Sequence, residues 1–103
     1  MSLIGTWNIE VATPFFGTHP ATLVFREQGG LVSGSINSQL GERPLESLAV
    51  AGDSFTSTVS LEVKGKMYDA KMTGQAAGDR IDGEIKVNMF LAPTVRYTGT
   101  RAG

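Results

Sequence analysis

The residues able to do acid–base or nucleophilic chemistry are few in this 103-residue chain, which has one histidine, two tyrosines and no cysteine. A thiol nucleophile and a thiolate metal site are therefore excluded, as is a disulfide framework. His19 is the candidate general acid or base, with Tyr68 and Tyr97 as further proton donors. Such a set suits an isomerase, cyclase or lyase that holds a flexible substrate in one reactive shape and moves a single proton. The pair His19-Pro20 is equally the pattern of an exposed turn residue. One histidine without clustered inward carboxylates supplies too few metal ligands, so neither a metal nor a cofactor is expected. Gly29, Gly30 and Gly78 form no phosphate loop, because no helix follows them to offer its N-terminus.

A second group of residues has the chemistry of binding. Asn88-Met89-Phe90-Leu91-Ala92-Pro93 falls at a turn but is apolar, and Pro14-Phe15-Phe16-Gly17 falls at another. The other turns have ordinary polar character, as in Gln28-Gly29-Gly30, Gly52-Asp53 and Ala77-Gly78-Asp79.

Short runs rich in Val, Ile, Thr, Ser and Phe, alternating with period two between spread glycines, must position both groups. Eight strands are expected, at 5–13, 18–27, 31–38, 43–51, 54–63, 66–74, 80–87 and 93–101. Leu45 to Ala51 contains helix formers but is too short for a helix and is bounded by Pro44 and Gly52. The connections leave no length for crossovers, so neighbours pair antiparallel in an up-and-down meander. Closing eight such strands into a barrel removes both edges and leaves an interior that side chains fill or one small ligand enters. The strand-interior glycines Gly34, Gly74, Gly83 and Gly99 fit strongly coiled strands. The length is a prior for one domain, 1–103, and an open sandwich is the alternative fold.

Alternation assigns the faces. Trp7, Ile9 and Val11 share one side; so do Ala21, Leu23 and Phe25; Phe55, Val59, Leu61 and Val63; and Tyr68, Ala70 and Met72. Ile81, Gly83, Ile85 and Val87 form the next inward set, followed by Val95, Tyr97, Gly99 and Arg101. The third and fourth strands alternate poorly and their phase stays open. Glu10, Glu62, Asp69, Asp82 and Glu84 then fall on the outer face. The inward polar groups reduce to Ser57, Tyr68, Tyr97, Arg101 and, on extending the second strand's phase, His19.

Gly5-Thr6-Trp7 opening the first strand, with Arg101 closing the last in Tyr97-Thr98-Gly99-Thr100-Arg101, resembles the calycin barrels: lipocalins, fatty-acid-binding proteins and avidins. The resemblance implies an eight-stranded barrel in which Trp7 packs near Arg101 and closes one end, and it implies small-molecule binding inside. Gly-Thr-Trp and eight short strands look most like the avidins, but the several tryptophans of their biotin site have no counterpart here beyond Trp7. Lipocalins and fatty-acid-binding proteins are longer and carry a helix or helical lid not found in this sequence. The resemblance therefore carries over no ligand residues.

In a closed meander the first, third, fifth and seventh connections share a pole, which sets Phe15 and Phe16 beside Met89, Phe90 and Leu91. That rim is expected to admit a small apolar or amphipathic molecule, with Tyr68, Tyr97 and His19 offering hydrogen bonds below. The same patch could instead form a homodimer contact, or fold inward as a plug. A net charge of -1 and 18% charged residues give no basic footprint for nucleic acid. No apolar run is long enough to span a bilayer and no secretory signal is seen, so the default expectation is a cytoplasmic protein.

Overall fold

β-branched and aromatic residues at alternate positions fold here into antiparallel strands, since only a pleated sheet turns every second side chain to one side. The computed structural model describes residues 3–13, 17–39, 41–63, 65–87 and 94–102. Their strands are β1 (Gly5–Thr13), β2 (Gly17–Gln28), β3 (Leu31–Ser38), β4 (Gly41–Pro44), β5 (Glu46–Ala51), β6 (Ser54–Val63), β7 (Lys66–Ala77), β8 (Arg80–Val87) and β9 (Thr94–Arg101). They form one antiparallel sheet in the order β4-β3-β2-β1-β9-β8-β7-β6-β5. The first and last strands pair from Trp7↔Arg101 to Ala12↔Arg96, so the sheet curls into a nearly closed up-and-down barrel. Among the described residues no helix is long and apolar enough to cross a membrane.

The described strands number nine where eight are expected, because the segment read as one strand over 43–51 divides at Leu45. Pro44 has no N–H to donate and ends the β3–β4 ladder at Ser35↔Pro44. Leu45 N–H still bonds the Gly34 carbonyl at 2.9 Å. From Glu46 onward the chain pairs with β6 instead, with a register shift between Glu46 and Ala49 and a positive φ of 51° at Ser47. One strand thus hands over from β3 to β6, and its two halves are the sheet's two edges. Ser57, an expected inward polar group, is buried and donates its hydroxyl to the Glu46 carbonyl at 2.8 Å across this seam.

The interior carries Trp7, Ile9, Leu23, Phe25, Leu45, Phe55, Val59, Met72, Ile81 and Tyr97, all buried. Burial on this scale contributes about 1.5–3 kcal/mol per large apolar side chain. Phe25 and Phe55 meet edge to face with centroids 5.0 Å apart. The Tyr97 ring lies across β8 and β7, over Gly83 and Gly74. A Cβ at Gly83 would collide with the Thr73 carbonyl and the Tyr97 ring, and one at Gly74 would collide with the Phe55 ring and the Tyr97 hydroxyl. These glycines clear the space that an aromatic ring then fills, the usual way a sheet is both bent and covered. The phase left open in the third and fourth strands is now set: Phe25 pairs with Gly34, Leu23 with Ile36 and Ile36 with Arg43. Directly paired residues share a face. Ile36 packs against the core and Leu45 is buried within it, so Arg43, two residues before Leu45, is also on the inner face.

Candidate functional site

The two ends of the barrel differ, and the difference begins with where each tight turn falls. At the end holding Gly29-Gly30, Gly52-Asp53 and Gly78-Asp79 the interior is sealed. The Arg101 guanidinium lies 4.2 Å from the centre of the Trp7 ring. Its Nη1 donates to the Ile4 carbonyl at 2.8 Å and its Nε faces Asp79 Oδ1 at 3.4 Å. Trp7 Nε1–H donates in turn to the Leu3 carbonyl at 2.9 Å. Gly5, at φ +130°, gives the guanidinium its room, since a Cβ there would sit 2.9 Å from Arg101 Nη1. Backbone bonds from Ala102 to Thr6 and from Arg101 to Asp79 close the ring of strands at this end.

On β1, β2, β7, β8 and β9 the large inner-face side chains become more exposed toward the opposite end. Trp7 and Ile9 are buried and Val11 is half-buried; Phe25, Leu23 and Ala21 are buried and His19 is half-buried. On β7 the sequence from Ala76 through Met72 and Ala70 is buried and ends with half-buried Tyr68. On β8 buried Ile81 gives way to half-buried Ile85 and Val87, and on β9 buried Tyr97 gives way to half-buried Val95. On these strands the inner wall is buried from the Trp7 end to its waist and half-buried beyond it, and the described part of that second stretch is the cup. Its described lining is apolar from Val11, Ile36, Ile85, Val87 and Val95, and polar from His19, Ser38, Arg43 and Tyr68.

Of the expected site residues, Phe15, Phe16, Met89, Phe90 and Leu91 lie outside the described residues. His19 pairs with Val11, which also pairs with Tyr97, so the register puts these three in one inward row. Tyr97 belongs to the floor: it is 1% exposed and its hydroxyl donates to the Thr73 carbonyl at 2.7 Å. Burial, and secondarily the Asp82 carboxylate, push that hydroxyl far above the usual tyrosine range. It therefore stays protonated and keeps its bond inside the protein. Tyr68 stands on β7, in the wall formed with β6 and β8, and not beside His19.

Arg43 is the member of this set that sequence reasoning missed. Its strand alternates poorly, and the signal that could have found it is Leu45 two residues on, a large apolar side chain whose parity Arg43 shares. No group of three or more metal-ligating side chains occurs among the described residues. An open groove of about 1000 Å³ also runs over the outer wall, lined by Asn8, Glu10, Thr22, Asn37, Asp82, Thr98 and Thr100 among others. These are outward members of β1, β2, β3, β8 and β9, and Ile9, Pro20, Ala21, Ala77, Ile81 and Gly99 add apolar lining between them.

The fold and its unequal ends define an all-antiparallel, nearly closed up-and-down β-barrel, closed by an arginine–tryptophan stack at one end and lined by half-buried side chains among the described residues at the other. No protein-family model matches the chain, and neither a curated protein nor a solved structure matches it.

Proposed function

We propose that the chain binds a small apolar or amphipathic molecule in the half-filled end of a calycin-like barrel. The observation that carries this reading is the gradient of burial along the inner face. On β1, β8 and β9 the inward apolar side chains are buried toward Trp7 and keep part of their surface accessible at the end away from it. A core that needed nothing more would close over those residues, whereas a ligand supplies the missing contacts. His19 and Tyr68 provide polar groups at this level. The outer groove is a weaker candidate, because it lies open to solvent and mixes apolar lining from Pro20, Ala77 and Ile81 with the charges of Glu10, Arg80 and Asp82.

Ile85→Trp tests the reading by filling the cup from its wall. Binding of a solvatochromic apolar dye, followed by fluorescence titration, is expected to fall at least tenfold while the far-ultraviolet circular dichroism stays that of the parent. Unchanged dye binding by the folded variant would place the ligand elsewhere.

A further inference from the structure

Arg43 has an unusual position for its charge. Of the five arginines in the chain, Arg26, Arg80 and Arg96 are exposed on the outer face, where a solvated guanidinium costs nothing. The other two, Arg101 and Arg43, face inward. Arg101 is engaged by the Trp7 ring, the Ile4 carbonyl and the Asp79 carboxylate. The Arg43 side chain, half-buried beside Ile36, makes no hydrogen bond or ion pair with any described residue.

The register locates Arg43 in the cup. Pairing followed from Val11 through His19 leaves the end of β3, while pairing followed the other way through Tyr97, Gly83, Gly74 and Phe55 reaches Val50. The two routes meet the 41–51 segment roughly ten residues apart, the stagger of a tilted barrel. Arg43 lies between those points, at the height of Val11 and Val95. The described carboxylates nearest in sequence and register, Glu42, Glu46 and Asp69, are exposed on the outer face, and Glu46 is held there by Ser60. A half-buried guanidinium above an apolar floor, with no counter-ion among the described residues, is left available to an anion that arrives with a ligand.

We infer that the molecule bound in this cup is an amphipathic anion, whose carboxylate or sulfonate head is held by Arg43 and whose apolar part lies against Val11, Ile36, Ile85 and Val95. A guanidinium offers two parallel N–H donors to such a head, which a lone ammonium does not. His19 and Tyr68 border the same end and can donate further hydrogen bonds. This inference rests on the binding reading above and assigns its ligand class.

The test compares 11-(dansylamino)undecanoic acid with its methyl ester, titrated by fluorescence into the parent chain, Arg43→Gln and Arg43→Lys at pH 8. The parent is expected to bind the acid at least about tenfold more tightly than the ester. Arg43→Gln is expected to erase that preference while leaving ester affinity within about twofold, and Arg43→Lys to keep part of it. Equal binding of acid and ester by the parent, or equal weakening of both by Arg43→Gln, would overturn the assignment of an anion while leaving the cup as an apolar site. Binding of neither probe by the parent would remove the cup itself as a binding site, and this inference with it.

Discussion

At the scale of residues, the sealed end rests on a few side chains that each satisfy one another. Trp7 is fully buried, stacked by Arg101 and hydrogen-bonded to Leu3. Trp7→Ala is expected to cost about 3–5 kcal/mol, measured by denaturant unfolding, because it opens a large cavity and removes the ring on which the half-buried Arg101 guanidinium stacks. Tyr97 makes a prediction about alkali. Its hydroxyl has a raised pKa in the fold, so folding stability from this group is complete below about pH 10, where an unfolded tyrosine begins to ionise, and declines as pH rises beyond it. Tyr97→Phe is expected to lose about 1 kcal/mol at neutral pH with the Thr73 bond and to flatten the alkaline decline in stability. An unaltered slope above pH 10 in the variant would assign the decline to other groups. Gly83→Ala tests the close approach beneath the same ring and is expected to cost about 1–3 kcal/mol or more, since the obstructing Thr73 carbonyl is backbone and cannot move aside alone.

The elements show where regularity fails and what the failure does. Most strands alternate over their whole length because one face meets the core and the other meets water. The 41–51 segment does not, since it serves two partners in turn. Pro44 ends one ladder, Ser47 takes a left-handed backbone conformation, and the register with β6 resets by Ala49. Placing a β-branched residue at such a φ is costly, so Ser47→Val is expected to destabilise by roughly 1–3 kcal/mol, whereas Ser47→Gly should be neutral or stabilising. Equal stability of all three chains would mean that the seam relaxes without its kink. The same irregularity explains why Arg43 escaped a reading by alternation: the exposed, half-buried and buried residues from Glu42 to Leu48 follow no single period. Neighbouring strands with one partner on each side, such as β7 and β8, were legible because their periodicity is uninterrupted.

For the whole molecule, closure through β1 and β9 ties residues near the two chain ends into one ladder. The turns at the sealed end are not equivalent in this respect. Asp79 accepts a backbone bond from Arg101 and faces its guanidinium, whereas among the described residues the Gly29-Gly30 turn has no such bond outside its own hairpin. A circular permutant opened between Gly29 and Gly30 is therefore expected to keep a cooperative thermal transition. One opened between Gly78 and Asp79 should melt at a clearly lower temperature. Equal melting of the two permutants would show that the arginine–tryptophan end adds nothing to closure.

The sequence by itself determined that the chain is all-β, where most strands begin and end, and which side chains of the regular strands share a face. Those properties follow from local rules: period two, turn chemistry and the absence of any segment long enough for a crossover. It also brought Trp7 and Arg101 to one pole, because strand parity and antiparallel order suffice for that. Only the tertiary structure decided that the fourth strand splits, that Tyr97 faces Gly74 and Gly83 as part of the floor, and that Arg43 is turned inward at the other end. The reason is physical: each of these depends on which strand lies alongside at a given height, and that is set by the stagger of the closed sheet, a long-range quantity that no window of neighbouring residues contains.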